Sequence, residues 1–451
     1  MLIESLSGVR GYDTALTADL LRAYASAFTE AVGRDKILLG RDTRASGAQI
    51  QEILATALRD AGAHVILLGI CPTPTVQFAV ENQKASGGIV ITASHNPLPW
   101  NGLKFIGSDG LFLDGSQMQR LKERRLAIQE TLDRHTIQKG SAEHYANILD
   151  DHIRSVLQIP YIRPHIIRAR KFKIVFDAVN GAGYAILPRL LEQLGCELTC
   201  LNCHADRPFP RSPEPLPENL GEVMQAIRKE SADLGLVVDP DADRLAILSD
   251  SGAPISEEFT LVLAARLVLG KSTATDKSIV TNLSTTMAVD DIARKFKARV
   301  YRTPIGEINV AQKMRDVGAT IGGEGNGGVL LPEAHLGRDS LVASVLVLQL
   351  LAELNRPLSQ IMDEMPHYVM HKQKIERGNI RLADVIPDLK SIAGAARSNS
   401  EDGIKFIWDD AWVHLRPSNT EPIIRIYAEG MDRESVEQRV RPFSEYFRKN
   451  V

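Results

Sequence analysis

Gly88-Ile89-Val90-Ile91-Thr92-Ala93-Ser94-His95-Asn96-Pro97 is the stretch from which the rest of the chain is read. An apolar, β-branched run ends abruptly in a polar loop stopped by proline, the pattern of a buried strand and the loop that leaves it. Ser94 then stands at the mouth of the strand, where α/β proteins place chemistry. Asp239-Pro240-Asp241-Ala242-Asp243-Arg244 repeats the arrangement after a second apolar run, Leu234 to Val238. Three carboxylates on alternate residues of a tight loop can turn oxygens toward one hard cation. A serine alone is usually a polar strand end, and an acidic triplet alone is usually a solvated turn. Their joint occurrence, with two further loops downstream, points to one site.

The chain has 451 residues, which suggests three or four domains. Charged residues make up 24% and apolar residues 44%, an ordinary globular balance. The net charge is −3 with no long run of one sign, which argues against a nucleic-acid or anionic-membrane surface. The longest uncharged apolar run, Ser340 to Ala352, is too short to span a bilayer and reads as a core helix. Met1-Leu2-Ile3-Glu4 shows no basic region followed by an apolar stretch, so the cytoplasm is the expected compartment. The four cysteines fit a reducing environment. Cys196, Cys200 and Cys203 have the spacing of a radical iron–sulfur motif. Their segment reads as a strand, however, and its alternation sends side chains to opposite faces. Zinc lacks a fourth ligand, since His204 is adjacent but sterically awkward. Thiols packed in or on a strand are expected.

Outward from the two loops, strand and helix patterns alternate. Ile37 to Gly40, Val65 to Leu68 and Ile89 to Ile91 read as strands, with a helix over Ala45 to Ala61. Phe172 to Asp177 begins a second series. Ser278 to Thr281, the helix-like Met287 to Phe296 and the strand-like Ala319 to Ile321 belong to a third. Such alternation implies sheets covered by helices on both faces. The last segment has three strand-like runs, within 405–408, 412–415 and 423–427, and a charged helix from Arg433. The expected divisions are 1–153, 154–255 and 256–366, all α/β, and a smaller α+β unit at 367–451.

The loops resemble those of the α-D-phosphohexomutase superfamily. Thr92 to Pro97 is similar to its phosphoserine loop residue for residue. Asp239, Asp241, Asp243 and Arg244 are similar to its metal loop, with Ala242 where glycine is common. Gly323-Glu324-Gly325-Asn326-Gly327-Gly328 falls where the family has Gly-Glu-x-Ser-Gly-His, its sugar-binding loop. Arg416-Pro417-Ser418-Asn419-Thr420-Glu421-Pro422 resembles the phosphate-binding loop. The resemblance runs in family order over almost the whole length. It implies a heart-shaped, four-domain architecture: three related α/β domains with mixed sheets, a smaller C-terminal α+β domain, and a central cleft. It also implies a mutase that moves a phosphoryl group between the 1- and 6-positions of a hexose. The cofactors implied are Mg²⁺ and a hexose 1,6-bisphosphate, and the partner is a small-molecule sugar phosphate. The group most resembled is the phosphoglucosamine mutases, with phosphomannomutases and phosphoglucomutases of mixed specificity as the alternative.

The roles that follow from this resemblance are specific. Ser94 carries the phosphoryl group, and Asp239, Asp241 and Asp243 hold Mg²⁺ against it. Lys104 and Arg10 match active-site cations, the lysine with a role in proton transfer. His95 orients the phosphate or the loop, or is a hydrogen-bonded structural histidine. Arg244, Glu324 and Asn326 face the sugar phosphate, with Glu324 accepting from two sugar hydroxyls. His335 is the candidate for the imidazole that the variant sugar loop lacks. Arg416, Ser418, Asn419, Thr420 and Arg425 hold the phosphate that is not being transferred. Glu421 orders that loop, and Arg44 braces the serine loop. A non-catalytic sugar-phosphate sensor would have lost the serine or an aspartate. A metal-dependent phosphatase would differ in releasing free phosphate.

Overall fold

The computed structural model describes residues 1–6, 8–129, 140–418 and 423–450. Its four sheets follow one another along the chain. The first runs, edge to edge, through Leu2–Ser5, Gly8–Tyr12, Trp100–Gly107, Gly87–Ile91, Lys36–Arg41, His64–Ile70 and Ser141–His144. The second runs through Leu245–Ser249, Leu234–Val238, Lys173–Asp177 and Glu197–Leu201. The third runs through Arg299–Thr303, Ser278–Asn282, Ile321–Glu324 and Gly328–Leu330. The fourth, wholly antiparallel, runs through Val369–Glu376, Ile423–Gly430, Ala411–Pro417, Ile404–Ile407 and Arg397–Asn399.

The first three sheets share one plan. Each contains a four-stranded core whose first three strands in chain order are parallel. The fourth strand folds back antiparallel on the third. The connection between third and fourth strands is in turn the serine loop, the acidic loop and the glycine-rich loop. In the last sheet, the Ala411–Pro417 and Ile423–Gly430 strands also pair antiparallel and flank the fourth loop. A parallel sheet presents strand ends at one side, and a returning strand forces a tight, exposed turn there. The same topology therefore delivers the chemistry three times.

The strands that carry these loops are apolar because both faces are covered. Gly87–Ile91, Leu234–Val238 and Leu245–Ser249 are buried along their whole length. The helix Ser340–Leu354 is apolar all round and almost wholly buried, as its composition predicts. Asp339 caps it, accepting from the Leu341 and Val342 N–H groups, a contact that contributes roughly 0.5–2 kcal/mol. With Glu258–Lys271 it fuses the second and third sheets into one hydrophobic core, whereas the first and fourth sheets have their own. The strand expected from Ala319 begins only at Ile321. Ala319 N–H instead closes the preceding helix by donating to Met314 O. Cys196 is buried just before the strand Glu197–Leu201, Cys200 is exposed on it, and Cys203 donates to Leu201 O; all are free thiols. Among the described residues they form no metal-competent cluster.

Candidate active site

The serine loop is held by its neighbours as well as by its own turn, in which Asn96 N–H donates to Ala93 O at 3.1 Å. Ser94 adopts φ 51°, a left-handed backbone that costs energy for a residue with a Cβ. Its N–H donates to Thr92 Oγ1 (2.8 Å), and Thr92 Oγ1 donates to Asp42 Oδ2 (2.7 Å). Arg44, buried, donates to the Ser94, Asn96 and Trp100 carbonyls at 2.7–2.8 Å and to Asp42 Oδ2 at 3.0 Å. The bracing expected of Arg44 is thus four charge-assisted bonds. Arg10 Nη1 donates to Asn96 Oδ1 at 2.9 Å.

The acidic loop faces this serine. Ser94 Oγ donates to Asp239 Oδ2 at 3.2 Å. Lys104 Nζ, 3% exposed, donates to Asp241 Oδ2 (2.6 Å) and Asp243 Oδ2 (3.0 Å). Thr73 Oγ1 also donates to Asp241 Oδ2, at 2.6 Å. The opposite oxygens, Asp241 Oδ1 and Asp243 Oδ1, are buried and accept no hydrogen bond, although Arg244 Nε lies 3.6 Å from Asp243 Oδ1. Buried carboxylate oxygens without donors are costly unless a cation meets them. One oxygen from each of Asp239, Asp241 and Asp243 lies within 4.8 Å of the others. Burial, then the Asp243 and Asp241 charges, push the Asp239 carboxyl well above the usual range, a shift that a cation would reverse. The donor set, all hard oxygens, fits Mg²⁺.

A second metal-competent trio, His152, His335 and Asp339, is also buried. His335 Nδ1 accepts from Gly337 N–H (3.2 Å), so Nε2 carries the proton that it gives to Asp339 Oδ2 (3.1 Å). His152 Nε2 reaches the same oxygen at 2.9 Å, and its Nδ1 pairs with Thr75 Oγ1. Proton and lone pair are both engaged, which leaves no ligand atom on His335. The imidazole expected at the sugar is therefore turned away from it, into a tie between the first and third units.

Glu324 is fixed on both oxygens. Oε1 accepts from Asn282 Nδ2 (2.9 Å) and Gly306 N–H (3.1 Å), and Oε2 accepts from Arg338 Nη1 (2.8 Å). Asn326 Oδ1 accepts from Gly328 N–H at 3.2 Å. A cleft of about 460 Å³ is lined by His95, Arg244, Glu324, Asn326, Arg416 and Arg425, together with Lys372 and Lys374. Such a volume suits a small-molecule ligand. A contiguous recess adds Arg10, Lys104 and Arg338. Burial and the nearby Arg244 and Arg10 charges hold His95 neutral. Ser418 N–H donates to Ile423 O at the base of the fourth loop, while Asn419, Thr420 and Glu421 lie outside the described residues. Of the expected residues, His95, Arg244, Glu324, Asn326, Arg416 and Arg425 line the cleft and Arg10 and Lys104 the recess, with Ser94 and the acidic trio buried beside them; His335 lines neither.

Residues 4–131, 150–252 and 256–368 match, in order, alpha/beta/alpha domains I, II and III of phosphoglucomutase/phosphomannomutase, and residues 374–443 match its C-terminal domain. The chain belongs to the phosphohexomutases. These enzymes are isomerases acting as intramolecular phosphotransferases. A phosphoglucomutase/phosphomannomutase of Thermococcus kodakarensis is 35% identical, covering 90% of this chain and 89% of that protein. A phosphoglucosamine mutase of Methanococcus vannielii is 30% identical, covering 96% and 95%. A crystal structure of a phosphoglucomutase/phosphomannomutase family protein from Burkholderia thailandensis superposes with a TM-score of 0.85 at 28% identity, covering 98% of this chain and 97% of that one.

Sequence reasoning missed Arg338. It donates through Nε to Glu307 Oε2 (3.0 Å), through Nη1 to Glu324 Oε2 (2.8 Å) and through Nη2 to Asp243 Oδ2 (2.7 Å). The available signal is a charged pair, Arg338-Asp339, directly ahead of a mostly apolar helix. Glu307 was missed as well; its Oε1 also accepts from Gln77 Nε2 at 3.1 Å.

Proposed function

We propose that this phosphohexomutase interconverts hexose 6-phosphate and hexose 1-phosphate through a phosphoserine at Ser94 and a hexose 1,6-bisphosphate, with glucosamine 6-phosphate as preferred substrate. The observation that carries the relay is Ser94 Oγ, held in a strained loop and bonded to the acidic trio, next to His95 and Arg244 of a cleft that also has Glu324 on its wall. In the transfer the Ser94 Oγ–P bond breaks as a bond forms from phosphorus to the sugar hydroxyl, whose proton ends in net terms on Ser94 Oγ. Lys104 suits the return of that proton. Burial would lower its pKa, but Asp241 and Asp243 outweigh that and keep the ammonium charged. Asp239, Asp241, Asp243 and the phosphoserine would hold Mg²⁺, which when bound neutralises the phosphoryl oxygens. Glu324 accepts from the sugar hydroxyls, and Arg416 and Arg425 grip the distal phosphate.

Substrate preference rests on the whole-length likeness to a phosphoglucosamine mutase. The likeness to a phosphoglucomutase/phosphomannomutase favours a second reading, mixed specificity for glucose and mannose phosphates. A panel of glucosamine, glucose, mannose and N-acetylglucosamine 6-phosphates, each with its 1,6-bisphosphate, separates them by kcat/KM. Isomer formation with glucosamine 6-phosphate at least about tenfold above the others is expected; each 1.4 kcal/mol of preference is tenfold. Free phosphate without isomer would mark a phosphatase instead.

A further inference from the structure

Arg338 comes from the segment that leads into the helix Ser340–Leu354, yet its guanidinium lies between two loops of different sheets. It bonds Asp243 of the acidic loop, Glu324 of the glycine-rich loop and Glu307 at the start of the helix Glu307–Val317. Three of its five N–H groups are committed to these acids, and its side chain lines the recess with Arg10, Lys104, Arg244 and Asn326. Burial alone would lower its pKa, but Asp243, Glu307 and Glu324 hold it firmly as a cation. It cannot exchange a proton, so its contribution is geometric and electrostatic.

Gly328 explains how the arginine arrives there. Its backbone is ordinary strand, yet a Cβ on it would lie 2.2 Å from Arg338 Cδ. The glycine-rich loop thus carries no side chain at this point because another residue's side chain passes through the space. Ser340 Oγ donates to Ala242 O (2.7 Å), tying the start of its helix to the acidic loop, and Leu245 N–H donates to Gly327 O (3.0 Å), tying the acidic loop's outgoing strand to the glycine-rich loop.

Given the mutase reading above, we infer that Arg338 is a positioning residue that sets the register between sugar recognition and phosphoryl transfer, by fixing Glu324 to Asp243 through a space that Gly328 leaves open. The sugar binds on Glu324 and the phosphoryl donor stands over the acidic loop. A rigid fork between them keeps the accepting hydroxyl in line with the phosphorus in both half-reactions. A displacement of about 1 Å between such partners is enough to cost roughly a hundredfold in rate.

The test uses Arg338→Lys and Gly328→Ala in the full chain. Lysine keeps the charge but cannot bridge three carboxylates. The methyl group that Gly328→Ala adds displaces the fork while leaving the arginine in place. Both should lower kcat roughly ten- to a hundredfold, leave KM within about threefold because the distal phosphate grip is untouched, and release more bisphosphate per isomer formed. Arg338→Lys/Gly328→Ala should be no worse than the poorer single variant, since both act on one fork. Melting curves report folding, and phosphorylation of Ser94 by hexose 1,6-bisphosphate, read by intact mass, should persist. Wild-type kcat and partitioning in folded Gly328→Ala would overturn the inference, as would a loss explained wholly by the unfolded fraction. Failure of the mutase reading would look different: the wild-type protein itself would neither accept the phosphoryl group nor form isomer.

Discussion

Ser94 Oγ and Asp239 Oδ2 lie 3.2 Å apart although 145 residues separate them, and this contact joins the loop of the first sheet to that of the second. Neither residue reaches the other by its own flexibility. Ser94 is pinned by Arg44 and Thr92, and Asp239 leaves a strand buried along its whole length. Phosphoryl transfer relies on such positioning more than on reactive side chains.

Ser94→Ala should therefore abolish the relay without harming the fold. Its backbone N–H still donates to Thr92, and one hydroxyl is lost. Intact mass should show one phosphate on part of the wild-type protein and none at residue 94 of the variant. Turnover within about tenfold of wild type in Ser94→Ala would refute the phosphoserine.

The acidic trio predicts a divalent cation requirement. Asp241 gives Oδ2 to Lys104 and Thr73 and keeps Oδ1 free, so Asp241→Asn removes a ligand charge and also sets an amide against two donors. Chelation should abolish activity and Mg²⁺ should restore it. The Mg²⁺ concentration for half activation should rise at least about tenfold in the variant. Undiminished activity in excess chelator would remove the metal from the mechanism.

Glu258 supplies a pH test away from the trio. Burial pushes its carboxyl up to about 8, with Glu257 and Glu429 adding to the shift and Lys372 and the Thr286 N–H bond opposing it. The folded pKa lies above the unfolded one, so the stabilising proton is fully present below about pH 4.5. Its contribution is lost as pH rises toward 8. Glu258→Gln keeps the acceptor for Thr286 but cannot ionise. Its melting temperature should match wild type near pH 4.5 and exceed it by a growing margin up to pH 8.5. A margin that is constant across that range would mean that Glu258 does not titrate in this window.

The parts of the site that follow a strand directly were legible from the chain. Ser94, Asp239 and Glu324 each terminate or leave an apolar run, so local patterning places them. The alternation also reveals three α/β series, but not that the strands of all three lie in one order. That order is set by pairing between distant segments, which periodicity does not encode. Arg338 escaped notice because its role is created by an absence, the missing side chain of Gly328. The sequence offers His335 as a spare imidazole, yet its ring serves Asp339. An imidazole four residues before a helix-capping aspartate meets the cap before it can reach a ligand.

The cleft walls carry the last prediction. Lys372, Lys374, Arg416 and Arg425 belong to strands of the fourth sheet and line the same cleft as Arg244 and the neutral His95. Cations stand on several walls of the cleft, and the substrate phosphate together with the phosphoserine supplies negative charge that lets the walls approach. The fourth unit is docked on the third by polar ties, among them Lys372 to Glu257 (2.9 Å), Tyr368 to Asp291 (2.6 Å), His414 to Ser284 (2.8 Å), Glu429 to Met287 N–H (2.7 Å) and Asp402 to Ile305 N–H (3.1 Å). Such a seam permits rotation more readily than the shared core of the second and third units does. Substrate should therefore draw the fourth unit inward and exclude water from the phosphoserine. Scattering should give a smaller radius in the complex. Arg425→Ala removes one fork from the distal phosphate, so KM should rise about tenfold or more and hydrolysis should gain on isomer formation. Added salt should weaken wild-type binding more than that of the variant, because less charge is left to screen. An unchanged radius, with normal KM in Arg425→Ala, would place the fourth unit outside the working site.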